Sequence, residues 1–170
     1  KFDVKKLVVS GMLTAVAVAL STFSIPIGAS RCFPVQHMVN IICAVLLGPA
    51  YGVGAAFVAS LIRNLLGLGS LMAFPGSMFG ALLCGLVYKK TGNIAATLIG
   101  EVFGTAVLGG LCAYPVAIYF MGQSAAAIAF YAYIIPFFVS TAGGAAISAV
   151  LIYSLKKAGV LGRMQLSLAQ

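Results

Sequence analysis

Residues 60–83 read SLIRNLLGLGSLMAFPGSMFGALL, and this stretch decides how the remainder of the chain is interpreted. An Arg-Asn pair ends one apolar run, and a break rich in Gly, Pro and Ser opens the next. Arg63 lies within a run long enough to cross a bilayer, where an ionisable side chain is costly and marks a candidate functional site. Non-helical backbone at membrane depth persists only where it is buried in protein or lines a cavity. We therefore predict that the break, Gly67 to Ser77, helps to wall a cavity.

The composition indicates an integral membrane protein. Of the 170 residues, 62% are hydrophobic and 7% are charged, against about 25% charged in soluble proteins. Continuous apolar runs of about 17 residues or more favour helices over a β-barrel. We predict an all-α, polytopic membrane protein, a single domain over residues 1–170, with an external loop at 24–34. Its six predicted transmembrane helices cover approximately residues 5–23, 35–47, 50–66, 75–88, 93–111 and 131–155.

The net charge of +8 is best explained by membrane topology. Basic residues cluster at the ends of apolar runs, as in Lys5-Lys6, Lys89-Lys90 and Lys156-Lys157, which is the pattern of the positive-inside rule rather than of nucleic-acid binding. With six spans, these clusters fall on one side, so both termini are predicted to be cytoplasmic. The first run also resembles a signal peptide with a basic n-region, although we favour a transmembrane helix.

Polar side chains gather toward the predicted outer ends of the helices. Gln36 and Asn40 are one turn apart on one helix face. Arg63 either contacts a ligand or is a cation that snorkels to the interface. For His37 alone, a hydrogen-bonded interfacial histidine is the more common situation. The candidate substrate-binding residues, which predict a pocket that opens outward, are Gln36, His37, Asn40, Arg63, Asn64, Ser70, Phe74, Ser77, Glu101, Thr105 and Tyr133.

Glu101 is the one carboxylate inside a predicted span, about 12 Å along the fifth helix at 1.5 Å per residue. Thr105 follows one turn later on the same face. We expect Glu101 to face the pocket and to bind the ligand, or to hold a polar side chain that does; the alternative is a carboxyl that only fixes helix packing. Arg63 lies about 9 Å nearer the outer surface, so we expect a ligand or water between the two side chains.

Other residue patterns narrow the possible functions. Gly11, Ala15 and Ala19 recur every four residues, which permits close approach of another helix but also arises by chance in alanine-rich helices. Cys32 and Cys112 are either a disulfide or two free thiols. With no CxxC spacing and a single His, a metal site is not expected. The chain also lacks a phosphate-binding loop and a nucleophile beside a base, so neither an enzyme nor a bound cofactor is predicted.

Several of these features together carry a family resemblance. They are the basic-tailed first helix with its alanine face, the short second helix, the run RNLLGLGSLMAFPGSMFGALL and the GEVFGT stretch at 100–105. From Lys5 to Lys157 the chain resembles the substrate-binding (S) component of an energy-coupling factor (ECF) transporter, and within that group the ThiW subfamily.

The resemblance implies a cell-membrane, multi-pass protein that captures a vitamin or vitamin precursor from outside. For ThiW-like proteins this is hydroxyethylthiazole, a thiamine precursor. It also implies docking on a transmembrane coupling subunit that two ATPase subunits drive, through a face that maps to Gly11, Ala15 and Ala19. Glycine at the first of these positions departs from the family's alanine but keeps a small residue there.

Three other functions remain open from the sequence. One is a proton-coupled transporter centred on Glu101, although no internal repeat of the kind common in such carriers is evident. The second is an S component for a different vitamin. The third, a membrane-embedded enzyme or scaffold, lacks a catalytic constellation.

Overall fold

The computed structural model describes residues 3–27 and 30–169, apart from the side chains at positions 27 and 30. Most of the described chain is helical. The elements, in chain order, are α1 (Val4–Ala19, continued by a 3-10 turn at Leu20–Thr22), β1 (Ile25–Ile27), β2 (Ser30–Cys32), α2 (Pro34–Leu46), α3 (Pro49–Leu65), α4 (Ala73–Thr91), α5 (Ile94–Phe103), a π-helical turn (Gly104–Gly109), α6 (Gly110–Tyr119), α7 (Ile134–Lys157) and α8 (Val160–Ala169).

Local sequence signals explain where several helices begin and end. Pro34 and Pro49 open α2 and α3, where the missing N–H of proline leaves no helical hydrogen bond unmade. Gly92 ends α4 in the left-handed conformation with φ 61°, which glycine adopts without steric cost. Asn93 then caps α5 by accepting a hydrogen bond from the Ala96 N–H at 3.3 Å.

Helix α4 lies at the centre of the bundle and contacts α2, α3, α5, α6 and the π-helical turn. Glycines make its closest crossing possible. A Cβ atom at Gly104 would lie 2.6 Å from the carbonyl oxygen of Phe79, and one at Gly109 would lie 2.7 Å from the Cα atom of Gly76. The backbones of α4 and the π-helical turn therefore meet directly, in the way that small residues allow in membrane helices.

The distribution of polarity differs from that of a soluble protein. Buried positions include Ser60, Arg63, Thr97 and Glu101, whereas large apolar side chains such as Val150 are exposed. An apolar exterior with polar groups inside is stable in lipid, where the surroundings are themselves apolar and interior polar groups need protein partners. The chain is thus a membrane protein.

Three described helical segments are long and apolar enough to cross a bilayer: Val4–Thr22, Ile94–Tyr119 and Ile134–Lys157. Helix α2 is apolar but shorter. The all-α class is confirmed. The count of six spans and the cytoplasmic termini stay predictions.

Two predicted boundaries around the central break were wrong. Helix α4 begins at Ala73 rather than at residue 75, and it runs to Thr91. Pro75 is compatible with this because it falls in the first turn, where N–H groups have no partner inside the helix. The non-helical part of the break is therefore shorter than predicted, and Phe74 is helical, whereas Ser77 is helical as predicted.

The second half of the chain differs further from the predicted boundaries. The fifth helix continues through Pro115 to Tyr119, with a π-helical turn inside it, instead of ending at 111. The last long helix begins at Ile134 rather than at 131.

Two elements were not predicted at all. Helix α8 buries Leu161 and Leu168, and its Gln165 amide donates to the Val45 carbonyl oxygen at 3.0 Å and to the Tyr88 hydroxyl at 2.9 Å. The predicted loop at 24–34 holds an antiparallel hairpin in which Ile25 pairs with Cys32 and Pro26 with Arg31. The four cysteines are free thiols, including Cys32 and Cys112.

Candidate functional site

A cavity opens at the end of the bundle where α2 and α4 begin. The space there, which includes part of the open mouth, is about 430 Å³. Its walls are mostly apolar with a few convergent polar groups. The lining residues are Arg31, Phe33, Gln36, His37, Arg63, Ser70, Met72, Ala73, Gly76, Ser77, Thr105, Phe137 and Ser140.

The structure brings part of the predicted site to this cavity. The predicted residues that line it are Gln36, His37, Arg63, Ser70, Ser77 and Thr105. Asn40 and Glu101 do not line it but bind residues that do. Ligand contact by any of them remains a proposal.

Three predicted residues lie away from the cavity wall. Asn64 donates from its amide to the carbonyl oxygens of Ser60 and Ser70, at 2.8 and 3.1 Å, and so ties the break to α3. Phe74 packs against Phe57 with ring centroids 5.6 Å apart. Tyr133 packs beside Phe137, which is itself in the wall. Of the three, only Phe74 lies in the predicted loop at 67–74, which is partly helix.

Glu101 lies directly behind the cavity wall. The side chain is 0% exposed, and its Oε1 atom is 2.9 Å from His37 Nδ1, 3.0 Å from Asn40 Nδ2 and 3.3 Å from Thr105 Oγ1. The carboxyl group therefore links α2 to α5 and to the π-helical turn. Gly80 makes this possible, since its Cβ atom would collide with Thr105 Oγ1 and Glu101 Oε1. A π-helical turn beside such a cluster is typical of functional sites.

A chain of amides connects Glu101 to the cavity. Asn40 Nδ2 donates to the backbone carbonyl of Ser77 at 3.1 Å as well as to Glu101. Gln36 Nε2 donates to Asn40 Oδ1 at 3.0 Å. Gln36 Oε1 is buried and has no hydrogen-bond partner among the described residues.

Arg63 is buried rather than snorkelling, with 1% of the residue exposed. Its Cζ atom lies 4.6 Å from the centre of the Phe33 ring, a cation–π contact. Its Nε and Nη1 atoms have no partner in the described part of the chain. Arg63 therefore lines the cavity with two nitrogen atoms whose N–H groups are costly to leave unpaired.

Sequence reasoning missed several wall residues. Arg31 lies in the predicted external loop at 24–34 but is not among the predicted substrate-binding residues, and Phe33, Phe137 and Ser140 carry no motif that distinguishes them from ordinary apolar or small residues. Phe33, which directly follows the hairpin, is joined to Ser140 of α7, because the Phe33 N–H donates to Ser140 Oγ at 2.8 Å.

Cys32 belongs to the same contact between hairpin and α7. Its thiol donates to the Pro136 carbonyl oxygen at 3.4 Å. Burial raises the pKa of the Cys32 thiol, and the hydrogen bond with Ser140 partly offsets that rise. Cys32 is therefore a packing residue. Among the described residues, no group of three or more metal-ligating side chains occurs.

Helix α1 presents two different faces. Ser10, Thr14 and Ala17 are buried against the bundle. Gly11, Ala15 and Ala19 are exposed, and a Cβ atom at Gly11 would meet nothing within 4 Å. The predicted small-residue face is thus directed away from the rest of the chain.

The architecture is that of a known class of membrane protein. A crystal structure at 2.1 Å of the S component for biotin from an ECF-type ABC transporter superposes with a TM-score of 0.60 and 21% sequence identity, covering 98% of this chain and 92% of that chain. At that identity the likeness shows the S-component fold. No curated protein matches the sequence significantly.

The family is shown by the sequence itself. The family described as thiamine-precursor transporter protein (ThiW) matches residues 7–158, and the chain belongs to it. The predicted family is confirmed, and it is a family of transporters rather than of enzymes.

Proposed function

We propose that this protein is the substrate-capturing subunit of an ECF-type importer and that it takes up hydroxyethylthiazole. The cavity is the observation that carries the proposal. Gln36 and Arg63, which both have buried polar atoms without partners among the described residues, line it. Apolar side chains such as Phe33, Met72 and Phe137 form part of the same wall. A small heteroaromatic alcohol offers an apolar ring to such walls and a hydroxyl to such polar groups.

The proposed setting is the cell membrane, with six spans and the cavity opening outward. Lys89 and Lys90 end α4 at the opposite end from the cavity, and the positive-inside rule assigns that end to the cytoplasm. Both termini then lie in the cytoplasm as well. The membrane segments Val4–Thr22, Ile94–Tyr119 and Ile134–Lys157 support part of this arrangement.

The proposed partners are a transmembrane coupling subunit and two ATPase subunits. The outward-directed face of Gly11, Ala15 and Ala19 is exposed, so a partner helix can approach α1 closely there. No other segment of the described chain covers this face. We propose it as the docking surface.

A proton-coupled mechanism is the second candidate, since His37 and Glu101 form a buried pair beside the cavity. Full burial of Glu101 favours a supporting role instead, because its carboxyl group reaches the cavity only through other side chains.

Uptake of labelled hydroxyethylthiazole tests the proposal. Cells that express this chain are compared with and without the coupling subunit and ATPases, and with the proton gradient dissipated while ATP is maintained. We expect uptake to require the ATPases and to survive loss of the gradient. The opposite result favours the proton-coupled candidate. Binding of biotin or thiamine, but not of the thiazole, to purified protein would identify a different vitamin as substrate.

A further inference from the structure

The orientation of the Gln36 amide is fixed by its neighbours. A backbone carbonyl can only accept a hydrogen bond, so the Asn40 atom 3.1 Å from the Ser77 oxygen is the amide nitrogen. Asn40 Oδ1 consequently faces Gln36 and accepts from Gln36 Nε2 at 3.0 Å. Gln36 Oε1, which is an acceptor, therefore points away from Asn40.

Gln36 Oε1 lacks a hydrogen-bond donor among the described residues. Gln36 is 2% exposed and lines the cavity, and its Oε1 atom has no partner among the described residues. A buried acceptor without a donor is destabilised. Rotating the amide by 180° would not help, because it would place oxygen against Asn40 Oδ1.

Arg63, in contrast, lacks hydrogen-bond acceptors among the described residues. Its Nε and Nη1 groups are donors without acceptors in the described chain. Two cationic side chains, Arg31 and Arg63, line the cavity, and the carboxyl group of Glu101 lies behind its wall. The cavity wall thus lacks a donor for Gln36 and at least one acceptor for Arg63.

We propose that Gln36 is a specificity-determining residue that accepts a hydrogen bond from an O–H or N–H group of a neutral ligand, while Arg63 donates to an acceptor of the same ligand. This rests on the proposed function and names the chemistry the site selects. A hydroxyl group is both donor and acceptor. A phosphate ester of the same alcohol has no O–H to give when fully ionised, and it would direct negative oxygens at Gln36 Oε1.

The test compares three ligands on the purified full-length protein: hydroxyethylthiazole, its fluoroethyl analogue and its phosphate ester. The fluoroethyl analogue is close in size to the alcohol but cannot donate. We expect the alcohol to bind at least about fivefold more tightly than the fluoroethyl analogue, as for loss of a donor to a buried acceptor. We expect the phosphate ester to bind more weakly than the alcohol.

Gln36→Met removes the acceptor and keeps a side chain of similar length, so the preference for alcohol over fluoroethyl should fall below about twofold. Gln165→Met is the matched control, because it removes a glutamine amide at the opposite end of α2 and α4 and should leave the preference unchanged. The ligand comparison on the unmodified protein decides the matter even if Gln36→Met does not fold.

The outcomes separate the two proposals. If the alcohol and fluoroethyl compounds bind equally well, or the phosphate ester binds most tightly, Gln36 does not select a donor and this inference is overturned while the substrate class stands. An unchanged preference in Gln36→Met also overturns it. If the unmodified protein binds none of the three, the proposed substrate is wrong and the inference falls with it.

Discussion

At the scale of single residues, the candidate site contains one carboxyl group, that of Glu101, which does not line the cavity. Glu101 Oε1 contacts His37, Asn40 and Thr105, and two of these, His37 and Thr105, line the cavity. The group is placed to orient wall residues rather than to touch a ligand. Its effect on binding should therefore be indirect, through the positions of those side chains.

We expect Glu101→Ala to weaken ligand binding and to lower the free energy of unfolding by about 1–3 kcal/mol, because three buried donors lose their acceptor. Glu101→Gln keeps the shape and one oxygen, so its effects should be smaller. Thr97→Ala is the control on the same helix, since Thr97 donates only to the Asn93 carbonyl one turn earlier. It should leave affinity unchanged.

Ligand affinity by calorimetry and thermal unfolding without ligand provide the two measurements. Reduced stability with unaltered affinity in Glu101→Ala would show that the carboxyl group only fixes packing.

The sequence was sufficient to single out Glu101 and Arg63, because ionisable residues inside apolar runs stand out without any knowledge of the fold. It could not predict which groups they contact. The distance along the helices correctly argued against a direct pair, but the close approach of His37 to Glu101 depends on how α2 crosses α5, which no local pattern encodes. Arg31 and Phe33 reach the cavity because a hairpin folds back, and only tertiary structure shows this.

At the scale of helices, the crossing of α4 with the π-helical turn sets the shape of the cavity wall. Gly76 and Thr105, which lie on opposite sides of this crossing, both line the cavity. Periodicity predicted these helices well where apolar runs were long. It placed the start of α4 at Pro75, two residues late, and it left open whether the chain after Pro115 is helix or loop, which the structure shows to be helix as far as Tyr119. It missed α8, whose apolar residues are too few to resemble a span.

We predict that Gly104→Ala destabilises the protein by about 1–3 kcal/mol, the usual cost of overpacking. The added Cβ atom would meet the backbone oxygen of Phe79 at 2.6 Å, and backbone cannot move aside as a flexible side chain can. Gly54→Ala is the matched control within α3, because nothing lies within 4 Å of its Cβ position. That variant should be neutral, or more stable by up to about 1 kcal/mol.

Thermal unfolding of both glycine variants in detergent checks this difference. Equal stability of Gly104→Ala and Gly54→Ala would mean that the two helices are further apart than the structure indicates.

At the scale of the whole molecule, the two ends of the bundle have different chemistry. One end holds the cavity, and the other holds Lys89, Lys90 and helix α8. A chain that captures a ligand outside and is driven from inside requires these ends to face opposite sides of the membrane.

We expect single cysteines introduced at Gln123 and Thr91 to report opposite sides. Both positions are exposed, and they lie beyond opposite ends of the continuous segment from α5 to α6. In a variant whose native cysteines are replaced, a membrane-impermeant thiol reagent on intact cells should label Gln123→Cys but not Thr91→Cys. The reverse labelling pattern would invert the proposed orientation.

For the molecule as a whole, we expect that substitutions on α1 can stop transport without affecting ligand binding. We predict that Ala15→Leu and Ala19→Leu bind ligand normally but lose most uptake, because a bulky side chain prevents a partner helix from approaching α1. Both alanines are exposed and remote from the cavity lining, so the site itself should be unaffected.

Ala146→Leu is the matched control, since Ala146 is also an exposed alanine within a long helix but lies on α7. It should bind and transport as the unmodified protein does. Affinity on purified protein and uptake in cells with the coupling module are measured for all three variants. If the α1 variants transport normally, or if Ala146→Leu loses uptake equally, the partner does not dock on the face formed by Gly11, Ala15 and Ala19.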